Sequence, residues 1–315
     1  MSKPIPLLAG LLALWLIATS AWYYRSGCCT IAAAATTAVE DATTATVATT
    51  TTASTIATAA VAATANINIQ DASSFGSAAA DNLSFAPSAH NYTGVLSDTL
   101  DTVFRETAAY LNEHPDRSIR ITGKYSTNET NNSILATLGL GRANQVKKLL
   151  VDLGAQDGQI ELADETVTQA DTINGLLTNL VYYDFFETKA VDTNRLTDIE
   201  QRLRASPLTL YFDTDAKTID LTDEQRQFFT DLTYYLSKKT NAGIRSTGHT
   251  DNRGEAKANR YLSRKRSEFV RDFLVQNGIQ EEQIWVFYEG EDQPIADNET
   301  SEGRALNRRV EIALR

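Results

Sequence analysis

The chain has 315 residues, with 40 acidic and 29 basic side chains, a formal charge of −11 at pH 7 and two cysteines. This length suits two ordinary domains with connecting segments. The acidic balance excludes nucleic acid as the main partner, because a protein that binds a polyphosphate needs a positive field. Cys28 and Cys29 are adjacent and provide no disulfide framework, so we expect burial alone to stabilise the folded parts.

An uncharged apolar stretch, residues 7–24, lies between Lys3 and Arg25. At a helical rise of about 1.5 Å per residue it nearly spans a hydrocarbon core of about 30 Å. The aromatic residues at its end are typical of a membrane interface. We therefore predict an uncleaved transmembrane anchor over residues 1–27. Two alternatives stay open, namely a cleaved signal peptide and lipidation of Cys28 or Cys29.

Residues 30–65 consist mostly of alanine and threonine, without glycine, proline or an apolar period. Such a composition buries too little apolar surface to offset the entropy of the chain. We predict a flexible tether over residues 28–78.

Two segments downstream follow one pattern of strands and helices, which predicts an internal duplication. The second, residues 207–315, has predicted strands at 208–212, 244–248, 285–290 and 308–314, and helices from Thr222 and over 256–277. The first, residues 79–190, follows the same course, and residues 191–206 are predicted to link the two. Arg142 corresponds to Arg266, and Gly154 to Gly278. A chance likeness of two βαβ patterns is the alternative.

The loop "GHTD" at the end of the strand 244–248 contains the candidate site, His249, Thr250 and Asp251. A metal site needs a third ligand, and the other histidines lie in the first segment. Catalysis by His249 would need a nucleophile, and no serine or cysteine motif accompanies it. A loop that holds a ligand is the remaining interpretation. In the first segment the same positions read Lys124, Tyr125 and Ser126, so the carboxylate is replaced by a hydroxyl.

The helix that follows places Asn259 and Arg266 on nearly one face, because seven residues make two turns. Leu262, Phe269 and Phe273 are expected to pack on the sheet beside that face. Asp251 and Arg266 would then present opposite charges to one small cleft, which suits a zwitterion. An internal salt bridge that only stabilises the loop is the alternative.

The motifs "FDTD", "GHTD" and "NRRVEI", with an asparagine and an arginine between them, resemble the C-terminal domain of the OmpA family over about 110 residues. The resemblance implies an α+β fold, an α/β sandwich made of tandem βαβαββ domains, each a mixed sheet with helices on one face. It also implies binding of peptidoglycan through its diaminopimelate. The family's ligand residues fall on Asp251 and Arg266, with Thr250, Asn259, Asp213, Asp215 and Arg309 in supporting positions.

The protein predicted on this basis is a non-enzymatic envelope protein without cofactor or metal, which joins a membrane to the cell wall. The resemblance favours anchoring in the inner membrane with periplasmic domains, although association with the outer membrane stays open. One alternative is a structural module that recruits a protein through the first segment. A stator-like ion channel is disfavoured, because residues 7–24 contain no carboxylate. A wall-cleaving enzyme would need an acidic pair or a zinc triad, and neither is apparent.

Overall fold

The computed structural model describes residues 66–72, 74–212 and 220–315. The predicted anchor, the stretch 30–65, and Asp213 and Asp215 lie outside these residues. Among the described helices, none combines the length and the apolar character needed to cross a bilayer. The described chain is a mixed α/β structure, and we refer to residues 66–190 as the first segment and to residues 191–315 as the second segment.

The first segment contains eight strands and two α-helices among its described residues. In chain order these are β1 (Ile67–Asp71), β2 (Phe75–Ala79), β3 (Ser84–Phe85), α1 (Asp98–Glu113), β4 (Arg117–Tyr125), α2 (Leu138–Asp152), β5 (Ile160–Thr166), β6 (Asp171–Ile173), β7 (Leu176–Thr178) and β8 (Val181–Glu187).

The central sheet of the first segment has the strand order β5-β4-β8. Strand β5 is parallel to β4, with Ile160 opposite Ile119, and β8 is antiparallel to β4 on its other side. Parallel neighbours require a crossover connection, which α2 provides. Side chains of β4, α1 and α2, among them Ile121, Phe104 and Leu150, are buried in one hydrophobic cluster.

The hairpin of β1 and β2 overlaps the end of the stretch 28–78 that the sequence predicts as a tether, so the tether must end before Ile67. Ile67 and Ile69 are buried in the cluster of the first segment, and they alternate with exposed polar residues. This period of two is that of a half-buried strand. The alternation covers only five residues next to a low-complexity region, which is why composition concealed it.

The predicted linker 191–206 is also more ordered than expected. It contains helix α3 (Thr193–Ala205), which Asp192 caps by accepting from the backbone N–H groups of Asn194 and Arg195. The apolar side chains of α3 recur at helical spacing and are buried against the second segment. The helix therefore belongs to the second segment.

The second segment continues with β9 (Leu208–Tyr211), α4 (Asp223–Lys238), β10 (Ile244–His249), α5 (Ala256–Gln276), β11 (Ile284–Gly290), α6 (Ser301–Asn307) and β12 (Arg309–Leu314). Its sheet has the order β11-β10-β12-β9, with β10 parallel to β11 and antiparallel to β12. The predicted capping box of Thr222 and Gln225 at the start of α4 is confirmed.

One structural device occurs in both segments. The side-chain amide of Gln283 donates to three backbone carbonyls at the end of α4 and in the turn before β10. Gln159 makes the matching three contacts, at 2.8, 3.0 and 2.8 Å, between α1 and β4. Each glutamine lies just before the strand that is parallel to the central one. It joins the start of that strand to the end of the helix that precedes the central strand, which is α4 for Gln283 and α1 for Gln159.

The two segments pack against each other. Ile134 and Leu135 of the first segment are buried in the same hydrophobic cluster as Phe229 and Leu232 of α4. Hydrogen bonds follow this contact: Asn144 Nδ2 donates to Asn277 O at 2.8 Å, Arg226 Nη1 to Ser133 O at 2.8 Å, and Lys238 Nζ to Gly158 O at 2.6 Å.

Candidate ligand-binding site

The candidate site begins where β10 approaches α5. A Cβ atom on Gly248 would lie 2.1 Å from the backbone oxygen of Ser263, so only glycine permits this approach. Ser263 and Ser267 are the small residues of α5 on that side, and both are fully buried. The register with β11 shifts between Gly248 and His249, which directs the following loop away from the sheet.

Arg266 is brought to this loop from the buried face of α5. Its side chain is only 8% exposed, and its Nη1 donates to the carbonyl of His249 at 3.1 Å. A guanidinium has five N–H donors, and the remaining ones make no hydrogen bond to the residues that the structure describes. Burial lowers the pKa of Arg266, the nearby charge of Arg308 lowers it further, and Asp251 acts in the opposite direction.

Asp251 lies close enough to this guanidinium to raise its pKa, but no hydrogen bond joins the two side chains. Its Oδ1 accepts from the backbone N–H of Arg253 at 3.2 Å, and its Oδ2 accepts from Nη1 of Arg308 at 3.1 Å. No hydrogen bond or ion pair joins Asp251 and Arg266. The site thus combines one carboxylate with two arginines, Arg266 and Arg308, and Arg266 keeps unused donors.

The supporting arginine predicted from the sequence was Arg309, and the structure brings Arg308 to Asp251 instead. Arg309 is 2% exposed, and its guanidinium donates to Glu311 Oε1 at 2.8 Å and to Gln293 O at 3.2 Å. Arg309 begins β12, and consecutive residues at a strand point to opposite faces. The two arginines therefore cannot serve the same loop.

Thr250 and Asn259 are both buried beside the loop. The N–H of Thr250 donates to Gly290 O at 2.8 Å, and its hydroxyl has no hydrogen-bond partner among the described residues. Asn259 donates its side-chain amide to the carboxylate of Glu291. Glu291 was not predicted, although its position directly after the strand that neighbours β10 was the available signal.

A second loop, residues 295–298, contacts the loop of Asp251 and is held in place by the asparagine of the "NRR" motif. Asn307 is fully buried, accepts from the N–H groups of Ile295 and Ala296, and donates to Asn298 Oδ1 at 2.9 Å. The same oxygen of Asn298 accepts from the N–H of Asn252 at 3.3 Å. Asn307 therefore supports the site without lining it.

The face of α5 that packs on the sheet agrees only in part with the predicted one, since Phe273 packs against the hydrophobic cluster and the ring of Phe269 contacts that of Phe212. Leu262 and Phe269 are 43% and 38% exposed. The buried positions of the helix are Asn259, Ser263, Arg266, Ser267, Val270 and Leu274. The buried face includes small or polar residues because β10 comes too close for large ones. Large apolar side chains therefore do not mark the buried face of this helix.

His249 is 1% exposed, and neither ring nitrogen has a hydrogen-bond partner in the described chain. Burial lowers the pKa of His249, and Arg309 adds to this effect. A neutral, enclosed imidazole cannot exchange protons with a ligand in the loop. In the described residues no group of three or more His, Cys, Asp or Glu side chains could hold a metal ion.

The OmpA family model matches residues 211–308, which contain the loop, α5 and the first two residues of the "NRR" motif. Residues 211–308 are an OmpA domain. The motifs that carry the resemblance are thus the ones that build the site. The match ends directly before β12 and does not extend to the first segment.

Curated relatives match the OmpA domain over part of their length. Outer membrane protein Omp38 of Acinetobacter baumannii is 39% identical over 104 residues, which are 33% of this chain and 29% of that protein. Outer membrane protein A of Bordetella avium is 38% identical over 104 residues, 33% of this chain and 53% of that protein. Peptidoglycan-binding protein ArfA of Mycobacterium tuberculosis is 44% identical over 73 residues, 23% of this chain and 22% of that protein. The chain therefore spans between about a fifth and about half of the length of these relatives.

Among solved structures, the peptidoglycan-associated lipoprotein from Burkholderia pseudomallei is 28% identical, with a TM-score of 0.31, covering 35% of this chain and 92% of that chain. The cell wall anchor of the T6SS from Pseudomonas aeruginosa is 26% identical, with a TM-score of 0.27, covering 38% of this chain and 93% of that chain.

Proposed function

We propose that the OmpA domain binds the peptide stem of peptidoglycan non-covalently, at the amino-acid head group that ends a diaminopimelate side chain. The observation that carries this proposal is the state of Arg266, which is almost buried yet donates only one described hydrogen bond. A buried cation with unused donors favours an anionic partner. The carboxylate of the head group would bind Arg266, and its ammonium would bind Asp251.

The charges of the site agree with such a ligand. Asp251 supplies a negative charge and Arg266 and Arg308 supply positive ones, and Asp251 is held by Arg308 and by a backbone N–H. A carboxylate that is already oriented loses little freedom when it accepts an ammonium. Thr250 belongs to the same loop, and Asn259 lies beside it on α5. We assign both of them supporting roles, together with Asp213 and Asp215.

The same geometry predicts that the domain prefers walls with diaminopimelate over walls with lysine in the stem. Lysine in the corresponding stem position has the ammonium but no carboxylate, so it would leave Arg266 unpaired. Each charge-assisted contact contributes about 1.5–3 kcal/mol. A single stem would bind with a dissociation constant of the order of millimolar to tens of micromolar. A polymer with many stems strengthens the total hold.

For the whole chain, we propose a protein that tethers a membrane to the cell wall. Residues 1–27 would anchor it, the stretch that follows would reach towards the wall, and the OmpA domain would bind. The peptidoglycan destination favours the inner membrane and the periplasm. The first segment would be a degenerate copy of the OmpA domain, which is supported by the common strand order, the matched Gln159 and Gln283 contacts, and the parallel pairs at Ile119 and Ile244.

A pull-down with purified sacculi tests the site. The full chain in detergent is incubated with sacculi that contain diaminopimelate, and the retained fraction is measured. We expect Asp251→Ala and Arg266→Ala to lose retention while circular dichroism shows an intact fold. Asp272→Ala and Arg264→Ala are matched controls, because these exposed residues of α5 change the charge equally outside the site.

Sacculi whose stems contain lysine provide the second arm of this experiment. Retention of the unmodified chain should be weaker on them than on diaminopimelate sacculi. Undiminished retention of both site variants would refute the assigned residues, and equal retention on both walls would refute the assigned ligand.

A further inference from the structure

Arg142 of the first segment is the counterpart of Arg266, and it is fully buried. Its Nη1 donates to the carbonyl of Lys124 at 2.7 Å, as that of Arg266 donates to the carbonyl of His249. In both segments the accepting residue directly follows a glycine of the central strand. The two arginines therefore make the same backbone contact.

The glycines before these carbonyls confirm the match in three dimensions. A Cβ atom on Gly123 would lie 2.0 Å from the backbone oxygen of Gly139, and one on Gly248 would lie 2.1 Å from the backbone oxygen of Ser263. Arg142 lies three residues after Gly139, and Arg266 lies three residues after Ser263. Each arginine thus occupies the same place relative to the point where helix and strand touch.

The difference between the segments is a carboxylate. Glu129 accepts two hydrogen bonds from Arg142, Oε2 from Nη1 at 3.1 Å and Oε1 from Nη2 at 2.5 Å. This is the paired arrangement in which a guanidinium binds a carboxylate. At Arg266 no carboxylate of the described chain makes such a contact.

A shorter helix explains how Glu129 reaches this position. Helix α2 begins at Leu138, four residues before Arg142, whereas α5 begins at Ala256, ten residues before Arg266. The residues of the first segment that would form the missing turns, 132–137, instead lengthen the loop between β4 and α2, and Glu129 lies in this loop just before them. Glu129 is the residue of this loop that faces Arg142.

Backbone contacts close the loop over the pair. Glu129 also accepts from the N–H groups of Ser126 and Ser88, both at 3.0 Å, and its side chain is 10% exposed. The N–H of Thr130 donates to Ser88 Oγ at 3.0 Å. Burial opposes ionisation of Glu129, but the bonds from Arg142 and from the two N–H groups outweigh it, so the pKa of Glu129 is lowered.

We propose that Arg142 is the centre of a carboxylate-binding site in the first segment and that Glu129 is its internal ligand, which closes this site to external carboxylates. If the OmpA domain binds a stem carboxylate as proposed above, the chain holds one stem per molecule, and the first segment holds none.

Chemical rescue tests this assignment without peptidoglycan. Glu129→Ala removes the part of the side chain that acetate replaces, and it leaves Arg142 buried without its partner. We expect Glu129→Ala to lower the Tm of the full chain in detergent by several degrees. Sodium acetate should restore most of this loss saturably, whereas sodium chloride at equal ionic strength should not.

Two controls define the effect. Glu165→Ala removes a carboxylate of the same segment that is 55% exposed and pairs with Lys124 at 3.6 Å, so acetate should not change its Tm more than chloride does. The unmodified chain should behave in the same way, because its site is filled. If Glu129→Ala is unfolded in chloride, circular dichroism of the chain refolded in acetate gives the same comparison.

An equal effect of acetate and chloride on Glu129→Ala would overturn the proposal. A second readout is the stoichiometry of diaminopimelate binding by calorimetry, expected to be one per chain and zero in Arg266→Ala. Two sites in the unmodified chain would contradict the internal ligand. Absence of diaminopimelate binding together with rescue by acetate would refute the proposed function and leave this inference intact.

Discussion

At the scale of single residues, the two arginines of the "NRR" motif have different tasks. Arg308 contacts Asp251 at the candidate site, while Arg309 is enclosed between Glu311 and the carbonyl of Gln293. Removing Arg308 takes away the group that orients Asp251. Removing Arg309, which is itself 2% exposed, takes away its two hydrogen bonds and leaves a cavity in its place.

We therefore expect Arg308→Ala and Arg309→Ala to act on different quantities. Arg308→Ala should weaken diaminopimelate binding about 3- to 10-fold, because one partly exposed charged contact is lost, with little change in stability. Arg309→Ala should lower the free energy of unfolding by about 1–3 kcal/mol. Calorimetric titration and urea denaturation measure the two effects, and the reverse assignment would show that Arg309 serves the ligand.

His249 makes the stability of the second segment dependent on pH. Burial, with a smaller effect of Arg309, lowers the pKa of His249 below the ordinary 6.5, while Glu311 and Glu289 raise it and Arg245 lowers it. The unfolded chain then binds a proton more readily than the folded one. The stabilising effect is complete above the unfolded pKa, and it is lost as the pH falls through the folded value.

We expect the urea midpoint to fall between about pH 7 and about pH 5, and to fall less in His249→Gln. The comparison between variants is needed because the pKa of His90 is lowered by burial in the same direction. Urea titrations at several pH values in this range measure the difference. Parallel curves for the two proteins would mean that His249 does not contribute.

At the scale of elements, the contact between β10 and α5 determines where Arg266 lies. The strand contributes Gly248 and the helix contributes Ser263 and Ser267, and no larger side chain fits between them. The position of the guanidinium therefore depends on a contact made by residues that bind nothing themselves.

We predict that Gly248→Ala displaces α5 and impairs both stability and binding. The new methyl group would meet the backbone oxygen of Ser263, which cannot move without the helix, and overpacking of this kind costs about 1–3 kcal/mol. Urea denaturation and retention on sacculi measure the two effects. Gly76→Ala is the control, since its Cβ would meet no atom within 4 Å. Normal retention of Gly248→Ala would show that Arg266 is not positioned by this contact.

At the scale of the whole molecule, the described segments share their hydrophobic interior. Leu135 comes from the loop before α2 in the first segment and is 1% exposed within the cluster of the second segment. The loop that places Glu129 over Arg142 thus continues directly into the contact between the segments.

We expect Leu135→Ala to destabilise the second segment by about 2–5 kcal/mol, although the mutated residue belongs to the first. Hydrogen exchange of the amides in β10 and β12 measures this loss of stability within the sheet of the second segment. Leu306→Ala, at a position 43% exposed, should leave these exchange rates nearly unchanged. Unchanged exchange in Leu135→Ala would mean that the segments are stabilised independently.

Much of the second segment could be predicted from the sequence, because its elements have local signals. Period and capping residues indicate α4, a short run between two glycines indicates β10, and the run that ends at Gly290 indicates β11. The same signals identified Asp251 and Arg266 as candidate residues, since the first follows a strand and the second has a defined spacing on a helix. The resemblance to the OmpA family is now confirmed for residues 211–308.

Other features were decided only by the tertiary structure, because they depend on contacts between residues distant in the chain. The choice of Arg308 over Arg309 follows from the phase of β12 against β9 and β10, which no local period reveals. The exposed positions of Leu262 and Phe269 follow from how closely the helix approaches the strand. Glu129 binds Arg142 from the loop between β4 and α2, and the position of that loop against the helix is determined by packing rather than by sequence spacing.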